Sequence, residues 1–267
     1  MTTTAMMDGM IDLALKAGAK ICSIYNTDFD KEIKGDGSPV TEADQLAEEL
    51  ILAGLKEIAP DIPVLAEESA AAGKIPELGD KFFLVDPLDG TKEFITKTGE
   101  FTVNIALIEN GRPVAGVVYA PAAEKLYFGT VGEGAFVQKI APGADRADAL
   151  RAAPITVRKR KEGALIAVAS RSHRSAETET LLEKLGATDF TPAGSSLKFC
   201  LVAEGLADVY PRLGRTMEWD TGAGQAVLEA AGGSVNAYEG DAETGPLGYG
   251  KKERGFDNPY FIAWGGK

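Results

Sequence analysis

The chain has 267 residues, enough for one large domain or two coupled lobes whose core needs no disulfide or metal to hold it. Hydrophobic residues are 45% and charged residues 25%, the balance of a soluble globular protein. The formal net charge of −12 argues against a sequence-independent nucleic-acid binder, which must neutralise phosphates with Lys and Arg. The two cysteines, Cys22 and Cys200, read as small buried hydrophobes in a reduced, cytoplasmic setting, and the single histidine, His173, excludes a His-rich metal site. Met1 to Met10 lacks a basic segment followed by an apolar core, and no apolar run approaches membrane-spanning length, so neither a signal peptide nor a transmembrane segment is expected.

In chain order, Ile11, Ala14, Leu15, Gly18, Ile21 and Tyr25 fall at three-and-four spacing and predict a helix. Residues 26–38 are polar and Gly-, Asp- and Lys-rich, a loop by composition. Thr41 then reads as an N-cap, with Glu42 and Asp44 in the first turn of a helix that Pro60 ends. Pro63 to Ala66 and Phe82 to Val85 are short apolar runs, read as buried strands that deliver Glu67, Glu68 and Asp86. Phe101 to Ile108 and Val114 to Tyr119 are β-rich runs joined through Asn110-Gly111, a strong hairpin signal. Leu126 to Phe128 and Ala135 to Val137 continue the pattern. The first half therefore reads as helices on a largely antiparallel sheet, an α+β lobe over residues 1–150.

Residues 141–153 read as a connection. Beyond them, in a second lobe over 151–267, strands at Ala164 to Ala169 and Ala207 to Tyr210 alternate with helices at Ala176 to Leu185, Ser196 to Ala203 and Thr221 to Ala231. Tyr260 to Trp264 closes the chain as a strand, and the alternation is that of an α/β lobe. Arg158 to Lys161 reads as a solvated basic run, and Gly245 to Gly250 as a turn-rich loop.

The richest segment is Leu84 to Phe94. Here a strand ends at Asp86, turns through Pro87 and offers a second carboxylate at Asp89. Paired carboxylates on a tight turn suit a hard cation such as magnesium. Gly90 and Thr91 follow at once, and at the start of a helix their amides would cradle a phosphate. Taken alone, the segment also fits a strand, a solvated acidic turn and a capped helix. Glu67-Glu68 at the end of the preceding strand and Asp220 ahead of a helix in the second half add further acids. If Glu67, Asp86, Asp89 and Asp220 converge, they raise one another's pKa, and two or three magnesium ions would neutralise them and hold a phosphoryl group.

Asp86-Pro87-Leu88-Asp89-Gly90-Thr91, with Glu67-Glu68 upstream and Trp219-Asp220 near the C-terminus, resembles the lithium-sensitive, magnesium-dependent phosphatase superfamily. That group holds the inositol monophosphatases, fructose-1,6-bisphosphatases and 3′(2′),5′-bisphosphate nucleotidases. The resemblance covers nearly the whole chain. Lys92-Glu93-Phe94, Gly99 to Leu107, Val117 to Pro121, Ser170 to His173 and Gly194 to Gly205 point to the bacterial nucleotidase branch.

The resemblance implies a layered αβαβα sandwich of the inositol monophosphatase / fructose-1,6-bisphosphatase type. It implies one magnesium on Glu67, Asp86 and the Leu88 carbonyl, a second on Asp86, Asp89 and Asp220, and a looser third near Glu67. It also implies a Thr91/Asp44 pair that orients and deprotonates the attacking water, with Glu68 as outer support. The substrate implied is a small nucleotide bisphosphate, adenosine 3′,5′-bisphosphate, hydrolysed to AMP and phosphate in sulfur assimilation and nucleotide recycling. Its phosphate would lie against Glu67, Leu88, Asp89, Gly90, Thr91 and Asp220. The second lobe would supply the other contacts: Ser195, Ser196 and Lys198 at a helix start, Ser170, Arg171 and His173 after a strand, and Tyr210 and Arg212. The enzyme is expected in the cytoplasm as a monomer or weak dimer, with peripheral attachment to the inner membrane left open.

Three rival readings differ in what they predict. An inositol monophosphatase or sugar bisphosphatase of the same superfamily would share the metal site. A haloacid-dehalogenase-type phosphatase would form an aspartyl-phosphate on Asp89-Gly90-Thr91, although two residues rather than one separate the aspartates here. A non-catalytic magnesium or lithium sensor would bind without turnover.

Overall fold

The computed structural model describes residues 3–27, 31–33, 39–145, 151–160, 164–169 and 176–266. Helix α1 (Thr3–Tyr25) packs along α2 (Glu42–Ile58). α2 starts where the sequence signals it. Thr41 Oγ1 accepts the Ala43 N–H at 3.2 Å while Asp44 Oδ2 accepts the Thr41 N–H at 2.8 Å, a reciprocal box that satisfies orphan donors of the first turn.

Both helices cover one face of a seven-stranded sheet, ordered β3 (Val64–Ala66), β4 (Lys81–Asp89), β5 (Thr102–Glu109), β6 (Arg112–Ala120), β7 (Lys125–Thr130), β8 (Gly134–Lys139) and β9 (Ala153–Ile155). Every pairing except β3 with β4 is antiparallel. The β5–β6 hairpin turns at Asn110 and Gly111, both left-handed with φ of 51° and 71°, as a tight primed turn requires. Alternation sends Phe83, Val85, Ile105 and Leu107 towards α1 and α2, and Phe82, Leu84, Ala106 and Ile108 to the other face.

That other face is covered by two helices, α6 (Leu197–Ala203) and α7 (Glu218–Ala230). α7 is buried along almost its whole length. It lies so close to β6 that a side chain at Gly116 would put its first carbon 2.5 Å from the Ala223 carbonyl oxygen. Behind these helices stands a six-stranded sheet ordered β11 (Ala187–Pro192), β10 (Leu165–Ala169), β12 (Val209–Arg212), β15 (Phe261–Trp264), β13 (Ser234–Glu239) and β14 (Ala242–Pro246). Helix α5 (Ala176–Leu185) packs on its outer face through Leu181 and Leu182 against Val209 and Ile262. Helices α1 and α2, sheet, α6 and α7, sheet, and α5 form the expected αβαβα sandwich.

Several local expectations need correction. Within the segment expected to be loop, Lys31–Ile33 (β1) pairs antiparallel with Pro39–Thr41 (β2). The first sheet also takes in β9, past the connection expected at 141–153. Strands β11 and β14 lack an apolar alternation because they are edge strands with largely exposed side chains, and the interior strand β13 is short and mixed, only Val235 being fully buried. Of the basic run, Lys159 and Arg160 are exposed in a loop as expected, Arg160 with its guanidinium 3.9 Å above the Trp264 ring, whereas Arg158 is half-buried and hydrogen-bonds Asp208. Lys161 lies outside the described residues. Residues 247–250 are loop as expected, with Tyr249 buried and its hydroxyl 2.7 Å from Gln225 Oε1, but Gly245 and Pro246 belong to β14. Cys200 is buried as expected, but Cys22 is only half-buried.

Candidate active site

The Asp86–Asp89 segment is not a turn after a strand. β4 runs on to Asp89 through a bulge: Asp86 pairs with Asn104 and Asp89 with Thr102, so three steps on β4 oppose two on β5. In a regular strand, residues three apart point to opposite faces. The extra residue cancels that parity and returns Asp86 and Asp89 to one face, the face towards α7. Leu88 is sent the other way into the core under α1 and α2. Pro87 fits such an irregular position because it has no N–H for the ladder. The Leu88 N–H closes the bend on Asp86 Oδ1 at 3.0 Å.

Gly90 then adopts φ 95° and ψ 41° and begins the short helix α4 (Thr91–Ile95). A side chain there would be strained, and its first carbon would sit 2.4 Å from Ser195 Oγ. Ser195 Oγ lies 2.8 Å from the Asp89 carbonyl and 2.7 Å from the Glu100 carbonyl, so this hydroxyl ties the second half of the chain to the bulge.

Two further acids reach the same place. Glu67 opens helix α3 (Glu67–Ala71), directly after β3, the parallel neighbour of β4. Asp220 sits in the first turn of α7 rather than ahead of it, and its Oδ2 accepts the Met217 N–H at 2.9 Å. The electrostatics record the convergence. Burial pushes Asp86 well above the usual carboxylate range, and the charges of Glu67, Asp89 and Asp220 push it further. Burial also raises Asp220 well above that range, with Asp89 and Glu67 adding to it. Asp89 is raised by burial against the opposing pull of Lys198, Ser196 and Asn104.

Asp44 stands on the other side of the bulge. Its Oδ1 accepts the Thr91 hydroxyl at 3.2 Å, while Oδ2 accepts the Thr41 N–H and hydroxyl at 2.8 and 2.7 Å. The Leu88 carbonyl oxygen is 3.3 Å from the same Thr91 hydroxyl. The expected Thr91/Asp44 pair is therefore formed, across an interval of 47 positions in the chain.

An open cleft runs from Asp89 and Gly90 to Asp220, with Lys198 and Arg212 in its wall. Lys198 is 8% exposed, and burial lowers its ammonium to about 8, with Asp89 opposing and Arg212 reinforcing the fall. Arg212 keeps a buried Nε–H without a partner among the described residues. Arg212 is among the residues lining the cleft, where a guanidinium is suited to an incoming anion.

Ser196, expected beside the substrate, is 1% exposed and already engaged. Its N–H donates to Asp89 Oδ2 at 2.7 Å, and its hydroxyl to the Asp220 carbonyl at 2.8 Å. Tyr210, expected to stack on a base, is 4% exposed, its ring edge-on to Phe199 and Phe261. Ser170, Arg171 and His173 lie outside the described residues.

Two site residues were missed by sequence reasoning. Asn104 donates to Ser196 Oγ at 3.0 Å and reaches Asp89 Oδ2 at 3.4 Å, and its signal was hidden in an otherwise apolar strand. Glu48, 4% exposed, accepts the Glu68 N–H at 2.7 Å and the Ser69 N–H at 2.8 Å. Its available signal was its place one helical turn after Asp44.

The donor set suits a hard divalent cation. Glu67, Asp86, Asp89, Asp220 and the Leu88 carbonyl offer only oxygen, and neither sulfur nor imidazole enters among the described residues. No three acidic, His or Cys side chains meet there as a ready-made cage among the described residues. The fit rests on Asp86 and Asp220, which the charges of neighbouring acids, Glu67 and Asp89 among them, push further up than burial does alone.

Fold and site together define a class. The chain belongs to the inositol monophosphatase family, whose model matches residues 3–259. It is 45% identical over 262 residues to the 3′(2′),5′-bisphosphate nucleotidase CysQ of Shigella flexneri, covering 96% of this chain and 98% of that one. Among solved structures it resembles CysQ from Bacteroides thetaiotaomicron, with 43% identity, a TM-score of 0.83, and 99% and 98% of the two chains covered. An inositol monophosphatase from Anabaena is more distant, at 26% identity and a TM-score of 0.73 over 98% of this chain and 91% of that one. No helix among the described residues is long and apolar enough to cross a membrane.

Proposed function

We propose that this chain is a magnesium-dependent 3′(2′),5′-bisphosphate nucleotidase that converts adenosine 3′,5′-bisphosphate and water to AMP and phosphate. One observation carries the reading: carboxylates from three separate elements act on one another, Glu67, Asp89 and Asp220 on Asp86, and two of them, Asp89 and Asp220, line a cleft whose wall holds Lys198 and Arg212. The acids suit cations and the two bases suit an anion, which is the pairing a substrate with two phosphates demands. The near-full-length likeness to nucleotidases supports the substrate class.

Glu67, Asp86 and the Leu88 carbonyl would hold one ion, Asp86, Asp89 and Asp220 a second, and the neighbourhood of Glu67 a third. When bound, the ions supply charge to offset these carboxylates, acidify water and take up charge on the leaving oxygen. The chain's own groups do the orienting. Asp44, fixed by Thr41, accepts the Thr91 proton, so the Thr91 oxygen turns its lone pairs outward to receive a hydrogen from the attacking water. The water oxygen attacks the 3′-phosphorus as one of its protons passes through the Thr91 oxygen to Asp44 and on to solvent; the bond from phosphorus to the ribose oxygen breaks, and that oxygen takes up a proton from a solvent water. No covalent phosphoenzyme is needed: Cys200 is buried, and burial raises the Cys22 thiol to about 11. Lys198 and Arg212, both in the cleft wall, would take the 5′-phosphate.

Phosphate release from adenosine 3′,5′-bisphosphate, with magnesium and with excess chelator, tests this reading. Activity should vanish in chelator, fall by roughly 10³-fold or more in Asp89→Asn, and be inhibited by lithium. Full activity in chelator would sink the proposal. Faster turnover of inositol 1-phosphate would replace the substrate while keeping the metal site.

A further inference from the structure

Helix α3 has no cap of its own. Its N-cap residue is Ala66, whose side chain can accept nothing. The N–H groups of its first turn therefore need an acceptor from elsewhere. Glu48 on α2 supplies it. The two carboxylate oxygens take successive amides, Glu68 N–H on Oε2 and Ser69 N–H on Oε1, and the Ser69 hydroxyl adds a third bond to Oε1 at 2.6 Å. A charged acceptor gripping two adjacent amides fixes the position and the rotation of that turn together. Glu67 is the first residue of the turn, one peptide unit from the held amide, and its carboxyl group lies within hydrogen-bonding reach of Asp86. Asp44, which holds Thr91, sits four residues earlier on the same helix. One turn of α2, about 6 Å of rise, thus separates the group that sets Thr91 from the group that sets Glu67.

We infer that Glu48 is a positioning residue for Glu67, and that α2 acts as a spacer keeping the water-orienting pair and the Glu67 carboxylate in register. The inference rests on the proposed function in one respect, that Glu67 holds a divalent ion. Glu48 itself touches neither ion nor substrate. Removing its grip lets α3 turn and the Glu67 carboxylate swing from Asp86, and losses of outer partners of this kind weaken metal affinity by about 10–100-fold.

The test is Mn2+ binding to the full chain without substrate, followed by electron paramagnetic resonance, with thermal unfolding and turnover measured in parallel. Glu48→Gln keeps the shape but presents one oxygen and one NH2 to the two amides. Its Kd for Mn2+ should rise about 10–100-fold. Turnover should fall at low metal and recover as metal is raised, with KM for the bisphosphate near wild type at saturating metal. Ser69→Ala keeps both amide bonds and loses one donor, so its Kd should rise by about two- to tenfold. It decides the matter if Glu48→Gln does not fold. A purely structural role would lower the unfolding midpoint and leave the Mn2+ Kd of the folded variants at the wild-type value, and that result overturns the inference. Wild-type protein that binds no Mn2+ would overturn the functional reading itself, and this inference with it.

Discussion

At the scale of single residues, the contrast among buried carboxylates separates structure from chemistry. Asp208 is as buried as Asp86, at 1% and 2% exposed, yet the two are shifted in opposite directions. Burial pushes Asp208 up, but hydrogen bonds from Arg158 and the Ile166 N–H, with the Arg158 charge, outweigh it and hold the carboxyl below its ordinary value. Asp86 has other acids where Asp208 has an arginine. The consequence for Asp208 has a definite sign. A depressed folded pKa gives stability that is complete above the ordinary value of 3.8 and is lost as pH falls through the lower folded value. Asp208→Asn should therefore cost about 1–3 kcal/mol at pH 7. The gap to wild type should narrow as unfolding is followed from pH 4 towards pH 2. A gap that stayed constant with pH would show that the pair contributes no charge-dependent stability.

At the scale of elements, the site depends on how closely α7 seats on the first sheet, because Asp220 rides in its first turn. Gly116→Ala would drive a methyl group into the Ala223 backbone. The expected cost is about 1–3 kcal/mol, read as a fall in Tm of roughly 2–10 °C, together with weaker magnesium activation. An unchanged Tm would mean that the helix yields freely.

Elements with a local signal were legible in the sequence: α2 through Thr41 and its acidic first turn, and the β5–β6 hairpin through Asn110-Gly111. Strands β11 and β14 were not, because edge strands with exposed side chains need no alternation, and β13 buries only Val235 fully. The bulge at Asp86 to Asp89 read as a turn because Pro87 marks both. Only the register against β5 reveals that it puts two acids on one face. Glu48 could be placed one turn after Asp44, but its role could not be read, for another reason. Its partners are backbone amides twenty and twenty-one positions away, and backbone amides leave no mark in sequence.

At the scale of the whole molecule, the net charge of −12 and the acidic cleft pose the same problem at different sizes. A protein repelling anions overall must offer a phosphate ester local positive charge, and Lys198 and Arg212 supply only part of it. The acids come from β4 and α3 on the first sheet and from α7 in the central helical layer, so the seam between that sheet and the helices is where ions would join the layers. The motif Asp86 to Thr91 was readable, and so was the list of acids, but their meeting is a property of the three-dimensional stacking. The direct measurement is anomalous X-ray scattering from crystals grown with Mn2+ and phosphate. The account predicts at least two manganese peaks among Glu67, Asp86, Asp89 and Asp220, with phosphate against them beside Thr91. Manganese found only elsewhere on the surface, with these four carboxylates bare, would contradict it.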